Sequence, residues 1–517
     1  MYHLLSLIVL VAFGLSFLPR LAHGAVCIPP PLNLAATENA RVEKGLCTEL
    51  RRVCADNSEL VTFDPVQLGN LTRTTPYGVV ERWSGLWNFP ARGGANSDAL
   101  VGHQPNSFVA IRPASRLEAN PALQNPQFSS CTMPFIMVTD WPYNMGEVLA
   151  QLASVVHIFI REKNVTDDTA TLVVATPAGL ALTPFHHVLL SPYSRYPVIS
   201  LEELSARQAP GAHVPWSAEG THVNCFERAV LCKIHGVMSI APLARTVLAK
   251  LDADHKLQPP DPLGFNTGAP GPLPPLATDT TLRVVLEART GGTRSIRNLH
   301  QVVAECEAVN KRGFVAGTFN KLSCRILHTG DTPQLHGVNR YYANLASVRS
   351  AHVLVAVHGA GAANCFFLQE DNGATALIEI RPCGFGTTHC GWPDAYMNGQ
   401  LGWTGNVIRF FAYNVEDPAQ CHPSDYEALA RSDPSAPMRG NEAMRARDQH
   451  LTLKPGPFVE MLRHVGSLLR NDTAYKEAQA SSSLHGYPIP GGLRLGPLCA
   501  KNVSRTTPPG GRFIEVA

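Results

Sequence analysis

VLVAVHGAGAANCFFL, running from Val353 to Leu368, contains the transition on which the fold depends. Five apolar residues of strand character end at His358. The chain then passes through Gly359 and Gly361 and resumes an apolar pattern that reads as a short helix from Ala362. A buried strand that stops at a histidine and a bare backbone, then turns into a helix, is the strand-turn-helix step of a parallel α/β sheet. The flanking segments repeat the alternation. LRVVLEAR (Leu282–Arg289) reads as a strand. It feeds SIRNLHQVVAECEAVNKR, whose Ile296, Leu299, Val302, Val303, Cys306 and Val309 share one helical face. SCRILHT (Ser323–Thr329) is the next strand, VNRYYANLASVRSA the next helix, and TALIEIR (Thr375–Arg381) a further strand. FVEMLRHVGSLLR closes the series as an amphipathic helix.

The first half shows a looser version of the same alternation. PFIMVTD (Pro134–Asp140) and TLVVAT (Thr171–Thr176) have strand character, as do PVISL and VNCFERAVL (Val223–Leu231). Between the first two, NMGEVLAQLASVVHIFIREK (Asn144–Lys163) places Met145, Val148, Leu149, Leu152, Val155, Val156 and Phe159 on one helical face. KLQPPDPLGFNTGAPGPLPPLATDT (Lys256–Thr280) is dense in proline and glycine and reads as a linker. The expected division is therefore a leader at 1–24, a Rossmann-like domain at 25–255 and a linker at 256–280. A second Rossmann-like domain follows at 281–450, then a C-terminal helix and tail at 451–517 that pack back. Ligands of open parallel sheets bind beyond the carboxyl ends of the strands, and His358–Asn364 occupies such a place.

Bulk properties set the compartment and exclude some partners. A chain of 517 residues is long enough for two cores. Its net charge of +2 gives no footprint for nucleic acid or for an anionic membrane. LLSLIVLVAFGLSFL (Leu4–Leu18) is shorter than the roughly 20 apolar residues of a spanning helix and precedes small residues at Ala22 and Gly24. That favours a cleaved signal peptide over a retained signal anchor, and any membrane contact is confined to this segment. Sequons at Asn70, Asn164, Asn471 and Asn502, with 13 scattered cysteines, agree with a secretory lumen. Cys27, Cys47 and Cys54 suit disulfide staples for the early region, and Cys383 and Cys390 are spaced to close a short loop.

Three groups of residues can carry chemistry. In HGAGAAN, Gly359 and Gly361 let main-chain N–H groups approach an anion, and His358 and Asn364 add side-chain donors. The same pattern also fits a tight turn with no ligand. Glu379, inside an apolar strand, needs a partner: a ribose hydroxyl, or Arg381 beside it; an outward position on an edge strand is the alternative. In ARTGGTRSIRN, Arg289, Arg294 and Arg297 crowd the start of a helix with Asn298 just inside it. Guanidinium groups pair bidentately with phosphate oxygens, and cations oppose the dipole at a helix N-terminus, which favours an anionic guest; a solvated helix start is the alternative. DAD (Asp252–Asp254) lacks a preceding strand and reads as a solvated turn. No G-x-S-x-G, G-x-x-x-x-G-K or H-E-x-x-H signature is present.

LEARTGGTRSIRN, AHVLVAVHGAGAANCFFL and ALIEIRP, in this order and spacing, resemble the signature segments of family 61 glycosyltransferases; CFERAVL (Cys225–Leu231) is similar to a segment of that family's N-terminal half. The resemblance implies a GT-B fold, two Rossmann-like domains facing a cleft, and inverting transfer from a UDP-sugar to a glycan or glycoprotein acceptor in the Golgi or endoplasmic reticulum. Xylosyl transfer to the N-glycan core is the favoured specialisation, protein O-GlcNAc transfer the alternative, and a non-catalytic lumenal glycan-binding protein the rival from another class. It places the donor on Arg289, Arg294, Asn298, His358, Gly359, Ala360, Gly361, Asn364 and Glu379. No essential cofactor is implied, although a divalent metal is compatible with the chemistry. Relatives carry His and Asp where this chain has YNMGEVLAQL, so Glu147 and Asp140 are the candidate bases, with His186 and His187 behind them.

Overall fold

The computed structural model describes residues 28–37, 47–57, 59–64, 79–80, 109–139, 142–176, 181–206, 224–233, 240–257, 263–265, 275–289, 293–370, 373–383, 408–415, 417–422, 448–481, 487–489 and 493–495. The expected leader, Asn70, Asn502, Asp140, Cys27 and Cys390 lie outside them. Among the described residues, no helix is long and apolar enough to cross a membrane.

The chain is α/β, with two large sheets. The first contains β1 (Cys47–Asp56), β2 (Glu59–Thr62), β3 (Val79–Val80), β4 (Val109–Pro113), β5 (Pro134–Val138), β6 (Thr171–Val174), β7 (Ile199–Ser200) and β8 (Asn224–Lys233). Their order is β3-β4-β2-β1-β8-β5-β6-β7. β1 runs antiparallel to β2 and β8, and the remaining neighbours are parallel. PFIMV and TLVV are buried at every position because helices cover one face and a second apolar layer the other. After β5 comes a helical run at 145–162, here α1. Its α-helical turns Met145–Glu147 and Ser154–His157 alternate with π-helical stretches Val148–Ala153 and Ile158–Glu162. Each wider stretch shifts the phase of the side chains that follow. The single stripe expected from the sequence therefore becomes burial on nearly every side from Val148 to Ile160. Among the described residues, α2 (Pro184–Leu190), α3 (Leu201–Ser205) and α4 (Ile240–Ala253) follow in this half.

The second sheet is built from β9 (Thr281–Ala288), β10 (Lys321–His328), β11 (Val353–Val357), β12 (Ala376–Arg381) and β13 (Arg409–Asn414), parallel in the order β10-β9-β11-β12-β13. The helix α5 (Leu299–Arg312) connects β9 to β10, and α6 (Gly337–Arg349) leads into β11. A small ribbon of β14 (Cys421–His422) and β15 (His450–Leu451) precedes α7 (Pro455–Leu468) and α8 (Asp472–Ser481). The strands β16 (Tyr487–Ile489) and β17 (Leu493–Leu495) extend the sheet antiparallel beyond β13. Glu379 is thus on a central strand, not at an edge, because β13 covers the flank of β12.

One continuous apolar cluster crosses between the halves. It joins Leu152 and Phe159 of α1, Leu243 and Val247 of α4, Leu345 and Val348 of α6, and Phe366 and Phe367 beyond β11. Two exposed ion pairs rim this layer, Arg245 to Glu370 at 2.9 Å and Arg349 to Asp252 at 2.6 Å. The proline-rich stretch contributes to packing as well: Leu257, Phe265 and Leu276 are buried. A second cluster fills the other face of the second sheet, where α5 and α7 pack together.

Four disulfides join described cysteines: Cys47–Cys232, Cys54–Cys225, Cys306–Cys324 and Cys383–Cys421. Cys383 does not close a loop with Cys390 as its spacing suggested, because the β14 ribbon brings Cys421 beneath the end of β12. Several disulfides fit an oxidising, secreted or lumenal environment. Asn164 and Asn471 are exposed, as a glycan requires. Non-reducing peptide mapping should recover a Cys383–Cys421 linkage. The paired substitution of both to serine should cost about 2–4 kcal/mol in urea unfolding.

Candidate anion-binding site

Chain order reverses between β9 and β11: β9 comes first, β10 adds on one side, and the later strands add on the other. At such a switch point the loops leaving adjacent strands diverge and open a crevice at their carboxyl ends. The two segments that end here are Glu287-Ala288-Arg289 and Val357-His358-Gly359.

Gly359 has φ +147, a conformation that side chains rarely adopt. It is also crowded from above. A Cβ on Gly359 would meet Arg294 Nη1 at 2.7 Å and Arg289 Nη1 at 2.9 Å. Two guanidinium groups therefore converge on one patch of bare backbone at the switch point. Arg294 donates from Nη1 to the His358 carbonyl (3.3 Å) and pairs through Nε with Asp448 (3.4 Å). The chain then enters a 3-10 helix, Ala360–Phe367, in which Ala362 N–H bonds to the Gly359 carbonyl at 3.0 Å. The helix starts two residues earlier than the sequence pattern suggested, since the tight turn begins on Gly359 itself. Asn364, within this helix, is 5 % exposed, and its Oδ1 has no hydrogen-bond partner among the described residues.

Beneath the turn lies a fully buried carboxylate. Glu379 Oε1 accepts from His358 Nδ1 at 2.5 Å, and Oε2 accepts from Arg381 Nε at 3.0 Å. Burial alone would raise the Glu379 carboxyl. Arg381 and His358 outweigh it and hold the group below its ordinary value. Both oxygens are engaged inside the sheet, so Glu379 orients the imidazole and does not extend to a ribose. Asn298 is similarly committed elsewhere: Oδ1 accepts from Leu453 N–H (2.9 Å) and Nδ2 donates to the Leu453 carbonyl (2.7 Å). It fastens α7's approach to the start of α5, and Arg297 is exposed on the same turn.

Sequence reading missed Glu287. It is the carboxyl that Gly361 covers, for a Cβ on Gly361 would collide with both Glu287 oxygens. Burial raises this carboxyl to about 7, with Arg289 and Arg294 pulling it back. The available signal was the acid itself, in an apolar strand two residues before an arginine, which is the same pattern that drew attention to Glu379.

From the other half, the first turn of α1 packs against the 3-10 helix. Asn144 caps it, accepting from Gly146 N–H (3.0 Å) and Glu147 N–H (3.3 Å), and Tyr341 Oη reaches Met145 Sδ at 3.4 Å. Glu147 is half-buried on this turn, which packs against the 3-10 helix that begins at Ala360. His186 is a buried helix cap, with Nδ1 accepting from Thr183 N–H at 3.1 Å and burial pushing it down to about 3. Burial also lowers its neighbour His187. No cluster of metal-ligating side chains occurs among the described residues. No protein-family model matches the chain, and no curated protein matches its sequence.

Two outcomes follow from Glu287. Gly361→Ala should lose about 2 kcal/mol or more in chemical unfolding, because the added methyl group displaces a buried carboxyl. The second concerns pH. A folded value near 7 against an ordinary 4.5 means the native state holds a proton the unfolded chain has released. Stability should therefore fall as pH rises from about 4.5 to 7 and level off above, by about 3 kcal/mol. Glu287→Gln should flatten that slope in urea titrations at pH 5 and pH 8.

Proposed function

We propose that this chain is an inverting glycosyltransferase of GT-B architecture that takes its sugar from a UDP-sugar donor, UDP-xylose favoured. The observation that carries the reading is the convergence of Arg289 and Arg294 over Gly359 at the switch point of a parallel sheet. Guanidinium pairs placed on bare backbone suit a pyrophosphate better than any neutral ligand. His358, oriented by Glu379, adds a ring nitrogen to the same edge. The resemblance of these segments to family 61 signatures agrees with the geometry.

In the proposed reaction the bond between the anomeric carbon and the donor phosphate oxygen breaks as the acceptor hydroxyl attacks from the opposite face. The bonding pair leaves with the diphosphate, and Arg289 and Arg294 stabilise the growing charge. The acceptor proton passes to a base from the first half, for which Glu147 is placed on the adjoining helix turn and Asp140 is the other candidate. Two fixed cations provide the charge that a divalent metal provides elsewhere, so turnover should survive chelation with EDTA. The disulfides and the exposed sequons at Asn164 and Asn471 fit an oxidising, secreted or lumenal environment; a glycan or glycoprotein acceptor in the Golgi or endoplasmic reticulum is proposed on the resemblance.

A donor screen on the purified lumenal chain, read by mass spectrometry of products, tests the assignment. Xylosyl transfer to an N-glycan core is expected. GlcNAc transfer to protein hydroxyls would move the specialisation to the alternative donor. Glycan binding without any nucleotide dependence would overturn the transferase reading. Arg289→Ala should lower kcat/KM by about 10²–10³-fold. His358→Asn, which keeps a donor for Glu379, should lower it comparably while Tm changes little.

A further inference from the structure

The floor of the proposed donor site contains a group that a simple anion cradle would not have. Glu287 ends β9 two residues before Arg289, is 7 % exposed, and lies directly against the main chain of Gly361. A carboxylate here would repel the same diphosphate that the two arginines attract. Removing it would be the obvious way to strengthen anion binding, yet Gly361 leaves room for it.

We propose that Glu287 is part of the donor-binding site and enters it as the neutral acid, taking up one proton from solvent as a nucleoside-diphosphate sugar binds. The inference rests on the transferase reading of the site. The carboxyl group then donates its O–H to the bound anion, so that the cradle presents two guanidiniums and a neutral donor. The ionised form opposes binding by placing a negative charge beside the diphosphate.

The charges that face Glu287 support this assignment. Arg289 and Arg294 are the cations that act on it, and Arg294 shares its charge with Asp448. His358, at the end of the adjacent strand, is tied to the ionised Glu379, which in turn is tied to Arg381. His328 ends β10 on the other side of β9, exposed to solvent. The 3-10 helix that covers the group brings only Cys365, a buried thiol raised by its surroundings. Glu147 is on the first turn of α1, which packs against the same 3-10 helix. Burial already favours the protonated carboxyl near neutral pH, and a bound diphosphate, by partnering the two arginines, removes the attraction that had favoured ionisation.

The test is calorimetric titration of the full lumenal chain with UDP-xylose and UDP-N-acetylglucosamine, whose diphosphate diesters do not titrate between pH 6 and 8. Each titration is run in two buffers of different ionisation enthalpy. Wild type should bind about tenfold more weakly at pH 8 than at pH 6 and take up close to one proton per donor at pH 8. Glu287→Gln should bind with no proton uptake and with an affinity at pH 8 near the wild-type value at pH 6. Wild-type binding that is independent of pH, with no proton uptake, would overturn the role of Glu287 and leave the donor site standing. The same pH dependence persisting in Glu287→Gln would also overturn it. Absence of binding by either UDP-sugar or by UDP at every pH would remove the site itself.

Discussion

A carboxylate with no exposure at all sits in the middle of the second sheet, and its pairing governs much of what surrounds it. Glu379 is bonded to His358 on one side and Arg381 on the other. Leaving such a charge unpaired would cost about 3–5 kcal/mol, so the three side chains form or fail together. The arrangement also depends on register. Ala356 pairs with Glu379 and Val357 with Ile380, and His358 N–H continues the ladder to the Ile380 carbonyl at 2.9 Å. A one-residue slip would turn Glu379 to the opposite face and separate it from the imidazole. The charge network thus links strand pairing to the position of the ring at the crevice.

The second constraint is the layer of helices between the sheets. The apolar cluster shared by α1, α4, α6 and the 3-10 helix leaves the turn at Gly359 supported from below by β12 and from the side by α1. Cations held on such a rigid base lose little freedom when they meet an anion. Arg294 is the clearest case: its own φ of +61, its bond to the His358 carbonyl and its pairing with Asp448 fix the guanidinium before any ligand arrives.

The sequence carried the strand-helix alternation well because buried parallel strands are short runs of branched apolar residues, as in VLVAV and ALIEI. Gly359 and Gly361 were legible as sites of close approach. Which groups approach them was not, since Arg289, Arg294 and Glu287 arrive from a segment some 70 positions away. Glu379 offered three roles, and only the neighbouring strands decided for the Arg381 and His358 partnership. Asn298 looked like a phosphate ligand until the β15–α7 junction was seen to occupy its amide. The proline-rich stretch hid Leu257, Phe265 and Leu276, because three isolated apolar residues have no period to detect. Cys383 was matched to a near neighbour for a similar reason: contact across 38 positions is invisible to spacing.

The two bridges between β1 and β8 impose an order on biosynthesis. Their cysteines are 185 and 171 residues apart, so Cys47 and Cys54 are synthesised long before Cys225 and Cys232. Throughout that interval the early thiols have only non-native partners to react with. Correct pairing therefore requires either protection of the reduced thiols or repeated exchange by a disulfide isomerase. These two bridges cannot form until β8 has been made, so the first sheet is locked covalently only after its last strand is in place.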